Sequence, residues 1–160
     1  MRNTEVHISP ARRDDLAAIM ALERIGFPEP ERWSERSWLG ELLGAGRTVL
    51  IARAQSPVGV ITVQTVGELA DLHRLVVAPD RRRRGVGTAL VIEALSAARH
   101  HGARAVILEV AYSNDPAIAL YSGLGFEQLS ARENYYGPGR HALILKLYDL
   151  DRWPDQEQSR

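Results

Sequence analysis

The chain has 160 residues, with 20 Lys plus Arg balanced by 20 Asp plus Glu, and it contains no cysteine. Formal neutrality argues against a general nucleic-acid binder, and the missing cysteines exclude disulfides, thiolate metal sites and a cysteine nucleophile. No run approaches the roughly 18 consecutive apolar residues of a membrane span and the N-terminus lacks the apolar core of a secretory signal, so a cytoplasmic protein is expected.

In chain order, Glu5 to Ser9 alternates Val6 and Ile8 with polar neighbours and predicts a short strand closed by Pro10. Leu16, Ile19, Met20, Leu22 and Glu23 give helical spacing up to Gly26. Phe27-Pro28-Glu29-Pro30 is a stiff connection, and Ser34 is placed to cap a second helix through Trp38 and Leu42. Three strands follow, Thr48 to Arg53, Val58 to Val66 and Leu69 to Val77, in a meander. After an arginine-rich turn, Val86, Leu90, Ala94 and Ala98 mark a third helix ending at Gly102. Ala103 to Ala111 reads as a strand with Glu109 on the face opposite Val106, Leu108 and Val110. Asn114-Asp115-Pro116 starts a fourth helix, and Phe126 to Arg132 and His141 to Tyr148 are final strands joined through Tyr135-Tyr136-Gly137-Pro138-Gly139. One domain over residues 1–148 is expected, with a flexible polar tail over 149–160.

The organising stretch is the turn after the fourth strand, where Arg81, Arg82, Arg83 and Arg84 lead into Gly85-Val86-Gly87-Thr88. The first N–H groups of a helix have no intrahelical partner, and guanidinium groups beside them add bidentate donors, so a ligand with several phosphates is expected. A P-loop would need Lys-Ser or Lys-Thr after its last glycine, where this chain has Thr88-Ala89. A dinucleotide fingerprint would need a small residue at Leu90.

Arg82-x-x-Gly85-x-Gly87 resembles the pyrophosphate signature of the GNAT acyltransferases, (Gln or Arg)-x-x-Gly-x-(Gly or Ala). Leu108-Glu109-Val110, Ser113-Asn114, Ala117-Ile118-Ala119-Leu120-Tyr121, Gly125-Phe126 and Asn134-Tyr135-Tyr136 are similar to the RimI-type ribosomal-protein alanine N-acetyltransferases. The resemblance runs from about residue 5 to 148. It implies a GNAT fold, an α/β architecture with a mixed, mostly antiparallel sheet of about seven strands flanked by four helices. It also implies acetyl-coenzyme A (acetyl-CoA) as cosubstrate and direct transfer to a primary amine, with a protein N-terminus as the leading acceptor.

By position, the resemblance makes Glu109 the general base and Tyr121 the donor to the departing sulfur. Leu75, Val76 and Val77 would lie beside the pantetheine arm, with an oxyanion donor N–H near Val76 or Val77. Arg82, Arg83, Arg84, Gly85, Val86, Gly87 and Thr88 would hold the pyrophosphate, with Asn114 and Ala117 also toward the cosubstrate. Phe27, Trp33, Tyr112, Tyr135, Tyr136 and His141 are acceptor-groove candidates, and His73 is a rival base. Two positions depart from the pattern: Ala111 stands where the family has arginine, and His141 replaces an acidic residue before Ala142. A small-molecule amine acetyltransferase, a silent acyl-CoA-binding module and a nucleic-acid binder acting through the four arginines therefore remain alternatives. No metal is expected, because the five histidines are not at ligand spacing, and either a monomer or a homodimer is expected.

Overall fold

The protein is described here from a computed structural model, which covers residues 5–153. Its elements are β1 (His7–Pro10), α1 (Leu16–Gly26), α2 (Glu35–Leu43), β2 (Arg47–Arg53), β3 (Pro57–Val66), β4 (Leu69–Val77), α3 (Val86–His100), β5 (Ala105–Ala111), α4 (Asp115–Gly123), β6 (Glu127–Gly137) and β7 (Arg140–Leu147). The strands form one seven-stranded sheet in the order β1-β2-β3-β4-β5-β7-β6. Every neighbouring pair is antiparallel except β4 and β5, which are joined through α3.

The local signals explain most of these boundaries. Ser34 accepts a hydrogen bond from the Ser37 N–H and caps α2, and Asn114 does the same for α4 through the Ala117 N–H. Pro10 remains inside β1, opposite Leu50, rather than closing it. Because β1 is the sheet edge, the missing N–H costs no ladder bond.

Apolar side chains cover both faces. One cluster under α3 and α4 holds Leu72, Leu90, Leu95, Val106, Leu108 and Phe126; the other, under α1 and α2, holds Ile19, Leu22, Trp38, Ile51, Val60 and Val76. β4 serves both by a change of phase. Opposite β3, Leu72 pairs with Val63 and Arg74 with Thr62, which leaves His73 as an extra residue. Ala70 and Leu72 point under α3, His73 and Arg74 both point toward α2, and Leu75 returns to the α3 side.

Two expectations are corrected. Tyr135 and Tyr136 belong to β6, whose register with β7 is interrupted between Arg132 and Gly137, so the connection shrinks to Pro138-Gly139. The tail does not start at 149: Leu150–Arg152 forms a single 3-10 turn, and Leu150 and Trp153 are buried in the α3-side core. Leu150 N–H donates to the Arg104 carbonyl at 2.9 Å and the Trp153 indole to Leu124 at 3.3 Å. Residues 154–160 of the expected tail lie outside the described residues.

Candidate active site

β4 and β5 pair only from Leu69 to Leu72 against Ala105 to Leu108, and beyond that point they diverge. β5 continues along β7 up to Ala111, so a gap opens between Leu75–Val77 and Val110–Ala111. Strand alternation decides which groups face it. The Ala78 N–H donates to the Val58 carbonyl at 2.9 Å, so Val76 turns to β3 in the same sense while the N–H groups of Leu75 and Val77 turn to the gap. Of the two expected oxyanion donors, Val77 has this orientation and Val76 does not.

At the mouth of the gap, the turn enters α3. Arg83 and Gly85 both have left-handed backbone, at φ 66° and 84°. A Cβ on Gly85 would meet nothing within 4 Å, so glycine is required there by backbone conformation rather than by space. At Gly87 the reason is packing, since a Cβ would come within 3.1 Å of Leu120 on α4. No side chain caps α3, and the N–H groups of Val86, Gly87 and Thr88 have no protein acceptor among the described residues. These donors fit an anion such as a pyrophosphate. Arg82 departs from the expectation that its guanidinium is offered to a ligand: it donates to the carbonyls of Val77 and Gly26, both at 3.2 Å, and ties the turn to the end of α1. Arg83 and Arg84 are exposed beside the helix end.

The gap leads into a cavity of about 820 Å³. It gathers Leu75, Glu109, Tyr112, Asn114, Ala117, Tyr121 and His141 with Phe27, Trp33 and Tyr136, residues that lie up to 114 positions apart (141 − 27) in the chain. A second groove of about 580 Å³ continues from Glu109 toward α2 and adds Tyr135, Glu41, Asp71 and Arg47. Val76 lies instead in the α1-side core.

Glu109 is exposed on β5, accepts the Tyr135 hydroxyl at 3.0 Å and lies 3.5 Å from the Arg132 guanidinium. The hydrogen bond to Glu109, together with that carboxylate's charge, raises the Tyr135 pKa, and burial followed by the Glu109 charge does the same for Tyr136. Both phenols stay protonated near neutrality. Tyr121 is buried against Phe126 with ring centroids 5.6 Å apart, and burial pushes its pKa far above the ordinary phenol value. It can therefore donate a hydrogen bond but is a poor proton source. The Asn114 oxygen is occupied at 3.3 Å by the Ala117 N–H, leaving its NH2 group as the donor on the cavity side.

His141 holds the β6–β7 hairpin: its Nδ1 accepts the Asn134 N–H at 2.9 Å and its ring lies 5.1 Å from Tyr112. His73 is tied to Glu41 at 3.0 Å, and this bond raises its pKa. Burial would raise the Glu41 pKa, but hydrogen bonds from His73 and Thr62, with the charges of His73 and Arg47, lower it overall. Asp71 shares the groove with Glu109, and its pKa is raised chiefly by burial, with Glu109 and Glu41 adding to the effect of burial.

Sequence reasoning missed Asp71, Glu41, Arg74 and Glu23. For Glu23 a signal existed: it stands one turn after Ile19 on the apolar face of α1, and both are fully buried.

With this geometry in place, similarity to known proteins is specific. The acetyltransferase (GNAT) family pattern matches residues 13–126. The ribosomal protein bS18-alanine N-acetyltransferase of Escherichia coli (strain K12) is 32% identical over 143 residues, spanning 88% of this chain and 95% of the relative. An N-alpha-acetyltransferase of Sulfurisphaera tokodaii is 26% identical over 156 residues, 90% of this chain and 93% of its own. The crystal structure of the E. coli ribosomal-protein-S18-alanine N-acetyltransferase superposes with a TM-score of 0.83 at 29% identity, over 91% of this chain and 94% of that one. Arabidopsis thaliana NAA60 in complex with acetyl-CoA shares the fold, with a TM-score of 0.81 at 20% identity over 90% of this chain and 98% of that one. A divergent β4–β5 pair, an uncapped α3 entered through Gly85 and this extent of similarity lead to one conclusion: the chain belongs to the GNAT family and is an N-acetyltransferase.

Proposed function

We propose that this enzyme transfers an acetyl group from acetyl-CoA to the α-amino group of a protein N-terminus, with a ribosomal-protein alanine as the leading acceptor. The observation that carries the reading is the placement of Glu109 where the β4–β5 gap meets the groove toward α2. A donor entering along the gap and an amine entering along the groove would meet at that carboxylate. The E. coli and S. tokodaii relatives support a protein N-terminus over a small amine.

The chemistry favours the same acceptor. An α-amino group titrates at about 7.7 to 8.0, so roughly 10 to 20% is neutral near pH 7, whereas deprotonating a lysine of pKa about 10.4 at that pH costs roughly 4 to 5 kcal/mol. One carboxylate is enough for the first and a weak base for the second. Acetyl-CoA supplies the activated thioester. The Val86, Gly87 and Thr88 N–H groups, with Arg83 and Arg84, would hold its diphosphate; the Val77 N–H would meet the charge developing on the carbonyl oxygen. Glu109 would take the amine proton, directly or through water, and Tyr121 would hydrogen-bond the departing sulfur.

The test is a panel of peptides with different first residues, incubated with acetyl-CoA and followed by coenzyme A release. Turnover confined to peptides with a free small first residue is expected. Turnover of free small amines with no peptide acetylated would transfer the assignment to a small-molecule acetyltransferase.

A further inference from the structure

The segment between α1 and α2, residues 27–34, has no strand and only one 3-10 turn at Glu29–Glu31, yet it supplies Phe27 and Trp33 to the cavity wall. Something else must fix it. Glu23 is fully buried, and both its oxygens are used: Oε1 accepts the Trp38 indole at 2.8 Å and Arg74 Nε at 3.4 Å, while Oε2 accepts the Trp33 N–H at 2.9 Å and Arg74 Nη2. Arg74 in turn donates to the Glu31 carbonyl at 2.9 Å, and its guanidinium lies 3.7 Å from the Phe27 ring centroid and 5.1 Å from that of Trp33. One cation therefore grips the beginning, middle and end of the segment. Its charge is spent on Glu23, so it offers little to an incoming substrate.

We propose that Arg74 is a positioning residue for acceptor recognition: through Glu23 and the Phe27 and Trp33 rings it holds the α1–α2 segment as the wall of the acceptor cavity. The proposal rests on the N-terminal acceptor reading, but it concerns the wall rather than the reacting atoms. β4 delivers Arg74 to this face only because His73 is the extra residue before it. The pantetheine gap and the α3 end lie on the far side of Leu75, which predicts that donor binding is insulated from the change.

Arg74→Met and Arg74→Lys separate these roles. With an acceptor peptide that the wild type turns over, Arg74→Met is expected to raise the peptide KM about 10-fold or more while kcat and the acetyl-CoA KM stay within about twofold, the pattern of lost uniform binding. Arg74→Lys should recover part of the loss, because an ammonium can pair with Glu23 but lacks the planar fork that also reaches Glu31 and stacks on Phe27. Hydrogen exchange gives a readout without turnover: amides of residues 27–34 should lose protection in Arg74→Met while β3 and α3 keep theirs. An unchanged peptide KM with unchanged exchange would overturn the proposal, as would both KM values and all amides shifting together. If the wild type acetylates no peptide, the functional reading fails while the exchange pattern still decides this one. If Arg74→Met does not fold, Arg74→Lys carries both readouts.

Discussion

The two halves of the cleft are built from different materials. On the proposed donor side, the N-terminal N–H groups of α3 and the Val77 N–H are main-chain groups set by strand divergence and by the left-handed Gly85. On the proposed acceptor side, the walls are held by side chains: Glu23 pairs with Arg74, Arg140 with Glu31 at 3.5 Å, and His141 accepts the Asn134 N–H. The diphosphate of acetyl-CoA would be the same whatever the acceptor and can be met by backbone, which any sequence supplies. An acceptor differs from enzyme to enzyme and is met by side chains, which can be exchanged without disturbing the sheet.

The sharpest way to break this comparison is at the point where the halves meet. Glu109→Gln should lower kcat about 10³-fold near pH 7, within the usual range for a general base. The deficit should shrink as pH rises from 7 to 9, because the amine then loses its proton to solvent; a deficit that stays constant over that range would remove Glu109 from the base role. Tyr121→Phe should cost about 10²-fold in kcat, the scale for losing one preorganised donor. Its deficit should persist at pH 9, since burial keeps that phenol protonated throughout. Gly85→Ala then tests the donor half alone. Forcing a side chain into the left-handed region costs about 1–2 kcal/mol, so the acetyl-CoA KM should rise roughly 10-fold with the peptide KM unchanged.

The smallest expected effect is on the acceptor side and concerns pH. His73 has its pKa raised above the ordinary 6.5, so its contribution to stability is complete below that value and fades as pH climbs through the raised one. Glu41 has its pKa lowered from 4.5, so its contribution is complete above that value and fades as pH falls through the lowered one. The stability gap between wild type and Glu41→Gln should therefore be widest between those limits and narrow on both sides. A chemical-denaturation series from pH 4 to 9 measures it, and a flat gap would show that the pair does not titrate with folding.

What could be read from the chain follows the same division. Glu109, Asn114 and Tyr121 sit in short contiguous stretches, and all three line one cavity; the arginine-rich turn, equally contiguous, lies at the entry to α3. The carbonyl partners of Arg82 are not legible locally, because four adjacent arginines look alike until one of them finds the Gly26 carbonyl, 56 residues away. Glu23 and Arg74 are 51 residues apart, and no local pattern joins them. Gly137-Pro138-Gly139 is a strong turn signal that draws Tyr135 and Tyr136 into the predicted connection, whereas interrupted pairing lets β6 run on through both. Leu150 and Trp153 stand in an otherwise polar stretch, and two apolar residues in four give no periodicity that would mark them as core.

The extra residue at His73 also limits how this chain can change in length. At the β3–β4 turn, a Cβ on Gly67 would meet nothing within 4 Å, so an inserted residue there has open space to enter. Removing His73 itself would restore plain alternation, with Leu72 and Leu75 still under α3 and Arg74 still on the other face. Adding one residue elsewhere between Leu69 and Val77 would instead rotate one end of β4, so that Leu72 or Leu75 leaves the apolar layer beneath α3, or Arg74 enters it and strands a buried carboxylate. Drift in hairpin length should therefore collect at the tip.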